Sequence, residues 1–253
     1  MIITFLGTGT SQGVPVIGCD CQVCRSDNPK DNRLRTSVHL AFNESSVVID
    51  TGPDFRQQML REHITKLDAI LYTHRHKDHV AGMDDVRSFY FKQRKEIPVF
   101  ASPETVEQLR AEFPYVFHPG DYKGVPKLKI IEIHAAPFTL NGLTIHPVEL
   151  YHDRMKVLGF RAGDFTYLTD ANLIDEKAAD IIRGSRVLVI NALQREKHPS
   201  HFNLSQALEE ISRFKPELAY LTHISHKMGL YEDLIKDLPE HVFPAYDGLK
   251  ITL

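Results

Sequence analysis

The stretch Leu71-Tyr72-Thr73-His74-Arg75-His76-Lys77-Asp78-His79 packs three histidines and an aspartate into six residues. It follows residues 69–73, which read as a buried strand, and precedes residues 80–91, which carry helical periodicity. In an extended chain the side chains at i and i+2 share a face, so His74 and His76 converge on one ion. Asp78 and His79 sit where the chain turns into the helix and face a neighbouring ion. Imidazole suits zinc and similar divalent metals, while a carboxylate adds charge and lowers the pKa of a bound water. HxHxDH after an apolar strand is a far tighter pattern than three histidines in a solvated polar loop.

Composition narrows the class around this motif. The chain has 253 residues, enough to bury about 70–75% of its unfolded surface in one large domain or two small ones. No apolar run approaches the roughly 20 residues that a membrane span needs. The opening MIITFLGTGTSQG has no basic region followed by a long apolar core, so it does not read as a secretory signal. The cytoplasm is the expected compartment. A net charge of −3 offers no basic footprint for nucleic acid.

Strand and helix signals alternate along the chain without a repeat or a low-complexity tract. Residues 2–6 form an opening strand that runs into the loop Gly7-Thr8-Gly9-Thr10, and over residues 8–13 this glycine loop's backbone either approaches a phosphate or the metal site or makes a tight turn. Residues 36–42 and 46–50 flank Asn43-Glu44 as a hairpin, and residues 54–62 read as a helix with an acidic cap at Asp54. Asn141-Gly142 and Gly163-Asp164 mark two further hairpins. Ser102-Pro103, and Asn203 with Gln206, mark helix starts. Residues 187–192, 218–222 and 242–253 supply the later strands, with Asp247-Gly248 read as a hairpin turn. Hairpins mixed with strand–helix units predict mixed α/β (α+β) sheets covered by helices, in one domain over 1–253.

The segment THRHKDH resembles the HxHxDH signature of the metallo-β-lactamase-fold hydrolases. That resemblance implies an αββα sandwich with metals at the sheet edge between its halves. It also asks for a further His, a bridging Asp and a last His, each at a strand end. His152 in Leu150-Tyr151-His152, Asp170 in Leu168-Thr169-Asp170 and His223 in Leu221-Thr222-His223 follow β-rich segments in that order. By position, the resemblance assigns His74, His76 and His152 to one metal and Asp78, His79 and His223 to the other, with Asp170 bridging. Asp50 in Val48-Ile49-Asp50-Thr51-Gly52 is similar to the family's D-x-G segment and would orient a ligand imidazole from behind; alternatively it starts a turn.

Cys19, Cys21 and Cys24 are the only cysteines. Three of them cannot close a disulfide set, and CxCxxC spacing points to a metal or a redox site. Three thiolates need one more ligand for tetrahedral zinc, and His226, three residues after His223, is the natural candidate. The competing reading is three free or redox thiols. GTGTSQGVP, GCDCQVC, LTHISH and YDGLKI together resemble the phosphoribosyl cyclic-phosphate phosphodiesterases of the carbon–phosphorus lyase pathway, over residues 4–251. In that subgroup the cysteines and the second His of HISH bind a structural zinc, which implies a zinc loop around 18–25 held by Cys19, Cys21, Cys24 and His226. Residues 91–136 match no motif of the subgroup.

Two metals about 3.5–4 Å apart generate a hydroxide at neutral pH and clamp both oxygens of an in-line displacement at phosphorus. The expected reaction is therefore hydrolysis of a small cyclic phosphate or nucleotide-like phosphodiester, with two active-site ions, zinc or manganese, and one structural zinc. Asp78 and His201 are the candidate catalytic residues. His201, in Ser200-His201-Phe202-Asn203, matches the position where the subgroup places a histidine near the scissile phosphate, and it is the candidate proton donor, with His198 as its competitor. A ribonuclease Z-like endonuclease would carry a tRNA-gripping arm between the ligands equivalent to His152 and Asp170, which here lie only 18 positions apart. A non-enzymatic metal-binding protein on the same fold is the other alternative. The expected partner is a small-molecule phosphodiester, with no membrane and no nucleic acid, and a homodimer is left open.

Overall fold

Val47, Val48 and Ile49 are all fully buried, which a strand achieves only when both of its faces are covered. In this computed structural model, which describes residues 1–121 and 123–253, two sheets and two sets of helices provide the cover. The first sheet contains β1 (Ile2–Gly7), β2 (Ser37–Phe42), β3 (Ser45–Ile49), β4 (Ala69–Leu71), β5 (Ile97–Ala101) and β6 (Leu128–Glu132). The second contains β7 (Phe138–Leu140), β8 (Leu143–His152), β9 (Met155–Ala162), β10 (Phe165–Tyr167), β11 (Val187–Asn191), β12 (Leu218–Thr222) and β13 (Val242–Pro244). The last strand, β14 (Lys250–Thr252), returns to the first sheet beside β1, giving the orders β14-β1-β2-β3-β4-β5-β6 and β13-β12-β11-β10-β9-β8-β7. Each sheet is antiparallel at one end, and β3 to β6 and β10 to β13 are parallel.

The helices are α1 (Phe55–Arg61), α2 (Lys77–Val80), α3 (Arg87–Gln93), α4 (Pro103–Glu112), α5 (Pro114–Phe117), α6 (Glu176–Ile182), α7 (Leu204–Phe214) and α8 (Tyr231–Leu234). Strand alternation sorts the apolar side chains into three layers. Val47 and Ile49 join Ile3, Phe5 and Leu40 against Phe160, Val187 and Val189 between the sheets. Val48, with Ile70 and Val99, packs on Phe55, Met59, Val106 and Leu109 of the helices outside the first sheet. Leu188, Ile190 and Leu221 pack on Ala178, Ile182, Ala207 and Ile211 outside the second. This is the αββα sandwich that the motif resemblance implies. Helix α7 is built as its sequence predicts: Asn203 Oδ1 accepts from Gln206 N–H at 3.0 Å and Gln206 Oε1 accepts from Asn203 N–H at 3.1 Å.

Three local expectations give way to tertiary contacts. Residues 80–91 are not one helix but α2, a 3₁₀ turn at Met83–Val86 and then α3. The break lets Gly82 N–H donate to Thr51 O at 2.8 Å, an approach so close that a Cβ on Gly82 would meet Gly52 O at 2.1 Å. Asp54 does not cap α1, because its carboxylate accepts from Arg35 N–H at 2.8 Å and pairs with the Arg35 guanidinium. Asp247-Gly248 does not turn a hairpin, since β13 and β14 lie in different sheets. Asp247 instead ties the crossing segment down, accepting from Thr8 Oγ1 and Leu34 N–H, both at 2.8 Å. Among the described residues, no helix is long and apolar enough to cross a membrane.

Candidate metal centre

The carboxyl ends of the parallel strands open on one edge of the sandwich, and the candidate residues collect there. Asp50 directly follows β3, His74 to His79 follow β4 and lead into α2, His152 ends β8, Asp170 follows β10, and His223 follows β12. Asp50, Asp170 and His223 all adopt positive φ, at 65°, 54° and 54°. Non-glycine residues in that region are uncommon; seven others among the described residues lie in turns or at helix ends, whereas these three each follow a strand at this edge.

Asp50 is the hub of the arrangement. Its Oδ2 lies 2.7 Å from His79 Nδ1 and accepts from the Thr73 hydroxyl at 2.8 Å, while Oδ1 accepts from Thr73 N–H at 2.8 Å. The Thr73 hydroxyl hydrogen is thus committed to Asp50, so its oxygen accepts from His74 Nδ1–H at 3.0 Å. One buried carboxylate therefore fixes two imidazoles, one directly and one through Thr73, and turns both Nε2 lone pairs inward. His152 is fixed the same way by a backbone group, with Nδ1–H donating to Ser200 O at 2.7 Å. Asp50 thus both turns the chain after β3 and hydrogen-bonds the imidazole beside it.

Asp170 lies at the centre of the cluster. Its Oδ2 is 3.3 Å from His79 Nε2 and 3.2 Å from His223 Nδ1, and its Oδ1 is 3.1 Å from His201 Nε2. Asp78 Oδ2 adds a second carboxylate 3.2 Å from His79 Nε2. Asp78, His79, Asp170 and His223 offer ligand atoms that all lie within 4.8 Å of one another, and so do His152, Asp170 and His201. His74, His76 and His152 stand side by side, with ring centroids 4.7, 5.1 and 5.8 Å apart, although the compact set on that side includes His201 in place of His74 and His76.

The electrostatics suit a cation. Burial holds His74 well below the ordinary imidazole range and His223 down to about 4, and it lowers His76 and His152, so these rings present neutral lone pairs. Burial works against a proton on His79 as well, but Asp170, Asp78 and Asp50 surround it and drive its pKa well up. Three carboxylates converging on one buried ring leave an excess of negative charge for a cation to neutralise. His74 Nε2 is moreover buried without a hydrogen-bond partner, an arrangement costing about 1–3 kcal/mol unless a ligand satisfies it, while His79 Nε2 and His223 Nδ1 lie 3.2–3.3 Å from carboxylate oxygens but are not aligned to hydrogen-bond them. These residues fit divalent metal ions.

The cysteine loop converges on His226. Cys19, Cys21 and Cys24 Sγ lie 3.3, 3.4 and 3.5 Å from His226 Nδ1, and none of the three is in a disulfide. The Cys24 N–H donates to Cys21 Sγ at 3.5 Å, which helps hold the Cys21 thiol down to about 6, while burial pushes the Cys24 thiol up to about 11. Three sulfurs and one imidazole nitrogen within 4.8 Å match the donor set of a closed zinc site. His226 and His201 line one cavity of ≈ 250 Å³, together with Ser11, Gln12, Gln194 and Lys227. The glycine loop therefore contributes Ser11 and Gln12 to this cavity, and its glycines serve close packing, since a Cβ on Gly7 would fall 1.9 Å from Arg35 O. Sequence reasoning did not single out Thr73 or Ser200. Their roles run through a hydroxyl and a carbonyl next to motif histidines, and only adjacency hints at them.

Comparison with known proteins agrees with this geometry. A family model described as a β-lactamase superfamily domain matches residues 45–224. A crystal structure of a diphosphatase from the PhnP family is 38% identical, with a TM-score of 0.94, covering 100% of this chain and 97% of that one. An octanoyltransferase of Porphyromonas gingivalis is 39% identical over 251 residues, 98% of this chain and 51% of the relative, so the chain spans about half the length of that protein. The crystal structure of Zn²⁺-bound PqqB from Methylobacterium extorquens shares the fold, at 18% identity and a TM-score of 0.81, with 100% of both chains covered.

Proposed function

The chain belongs to the β-lactamase superfamily and, within it, to the PhnP family, and from that premise we propose that it is a metal-dependent phosphodiesterase. Its substrate is a small cyclic phosphate or nucleotide-like phosphodiester. The observation that carries this reading is Asp170, whose two oxygens face His79 and His223 on one side and His201 on the other. His74, His76, His152 and Asp170 would hold one divalent ion, and Asp78, His79, His223 and Asp170 a second, zinc or manganese in each case; Cys19, Cys21, Cys24 and His226 would hold a structural zinc. Bound ions would supply charge neutralisation at phosphorus and lower the pKa of a water to about 7.

The chain's own groups do the rest. Asp50 and Ser200 O hold the imidazoles in the tautomer that turns Nε2 inward. Asp78, set 3.2 Å from His79 Nε2 by the first turn of α2, adds the negative charge that a second cation needs. His201 Nε2 faces the centre from the cavity side and donates a proton to the leaving oxygen. Between His152 and Asp170 lie only the β8–β9 turn, β9 and β10, with no room for a tRNA-gripping arm, which supports a small-molecule substrate over an endonuclease.

Hydrolysis of bis(p-nitrophenyl) phosphate tests the proposal. Activity should vanish with a chelator and return with Mn²⁺ or Zn²⁺, whereas no turnover in any metallated form would favour a non-enzymatic metal-binding role. On 2′,3′-cyclic AMP, whose leaving alkoxide needs a proton, His201→Ala should cut turnover far more than metal content; equal loss of both would remove the proton-donor role.

A further inference from the structure

The segment 198–201 carries two histidines toward the cavity, and only one of them reaches the centre. His201 Nε2 touches Asp170, while its Nδ1 lies 3.2 Å from His198 Nδ1 and 3.0 Å from the Ser200 hydroxyl. That hydroxyl is also 3.3 Å from His198 Nδ1, so the three groups form a closed triangle behind the His201 ring. Ser200 N–H donates to His198 Nδ1, a long bond at 3.4 Å, which makes that nitrogen an acceptor. The contact between the two rings then takes its hydrogen from His201 Nδ1. With that edge anchored to His198, the opposite edge, Nε2, is held toward Asp170.

Beyond His198, the Ser200 hydroxyl and Asp170, the ring neighbours of His201 do not fix it in this way. It stacks on His223, with centroids 5.0 Å apart and planes 12° apart, and meets His152 edge-on at 4.5 Å. Stacking is satisfied equally well after a half-turn about Cβ–Cγ, which restores the ring plane but exchanges Nε2 for Cε1 at the centre and Nδ1 for Cδ2 behind. Directional hydrogen bonds from behind are what prevent that turn. We propose that His198 is a positioning residue, which through His201 Nδ1 holds the His201 ring in the orientation that protonates the leaving oxygen. The inference rests on the phosphodiesterase reading for its consequence in turnover, but the ring orientation itself can be read without turnover.

The test compares the wild type, His198→Ala, His198→Gln and the double variant His198→Ala/His201→Ala, all loaded with Mn²⁺ and checked for metal content. Two substrates separate proton donation from the rest of catalysis. Bis(p-nitrophenyl) phosphate releases p-nitrophenolate, which leaves without a proton, whereas 2′,3′-cyclic AMP releases a ribose alkoxide that needs one. His198→Ala should lower kcat on 2′,3′-cyclic AMP at least tenfold, with a loss at least fivefold smaller on the p-nitrophenyl ester and KM little changed. His198→Gln, which keeps an acceptor, should recover most of the loss, and the double variant should be no worse than His201→Ala alone. Crystal structures of the wild type and His198→Ala supply the readout without activity: His201 should turn or become multiply oriented, breaking the contact with Asp170. An unmoved ring, equal losses on both substrates, or a parallel loss of metal would overturn the positioning role. A wild type inert on both substrates would instead refute the phosphodiesterase reading, with the His201 ring still deciding this one.

Discussion

Asp50 has no partner of opposite fixed charge and is fully buried, yet it organises the centre through three hydrogen bonds. Burial raises its pKa, and the bonds from His79 and Thr73 pull the other way. Asp50→Asn keeps the shape but offers one acceptor oxygen instead of two. Metal affinity should fall about 10- to 100-fold while the fold survives, as isothermal titration with Zn²⁺ and circular dichroism would read. Retained affinity would mean that His74 and His79 do not depend on it. A second residue-scale expectation concerns His39, whose Nε2 lies 2.8 Å from Ser46 Oγ. Burial, with Lys250 adding and Glu62 opposing, pushes its pKa down to about 4 from 6.5. Its proton binds the unfolded chain more tightly, so its contribution to stability is complete above pH 6.5 and is lost as pH falls toward 4. Between pH 7.5 and 5 that loss amounts to about 2 kcal/mol. His39→Gln should flatten the urea-unfolding difference by this much, and an unchanged difference would remove His39 as its source.

At the scale of elements, the placement of Asp78 and His79 depends on how closely α2 packs beneath the end of β3. Thr51 N–H donates to His79 O at 2.8 Å, and a Cβ on Gly52 would lie 2.2 Å from Asp78 O. Gly52→Ala should therefore push α2 away, displacing Asp78 and His79 together, with metal content reduced on a chain that loses several kcal/mol of stability. Full metal content and an unshifted melting temperature would contradict that packing. The motif at 74–79 was legible because its candidate ligands fall within six consecutive residues. His152, Asp170 and His223 were legible only as an order of strand ends, since nothing local marks a histidine as a ligand. Where the expectations failed, a non-local contact had taken over a local signal: Arg35 holds the Asp54 carboxylate away from α1, and Thr8 and Leu34 hold Asp247 out of a hairpin. Sequence spacing alone does not contain those partners.

Across the whole molecule, the alternation of Val47, Val48 and Ile49 between two cores is the same feature that builds the sandwich and opens its edge. Two seven-stranded sheets bring the ends of β3, β4, β8, β10 and β12 to one place, although these ends are spread over residues 49–222. The cysteine loop joins that edge from outside the sheets, because His226 follows His223 by three residues and lines the same cavity as His201. Layering and edge were readable from hydrophobic pattern and motif order. Which ring would stand behind which was not, because His198, Ser200 and Thr73 act through contacts that any surface loop could carry. Diffraction data collected at the zinc and manganese absorption edges from metal-loaded crystals test the centre most directly. Two anomalous peaks flanking Asp170 are expected, one toward His74, His76 and His152 and one toward Asp78, His79 and His223, with a zinc peak among Cys19, Cys21, Cys24 and His226. A single peak at Asp170 at full loading, or none, would contradict the dinuclear centre.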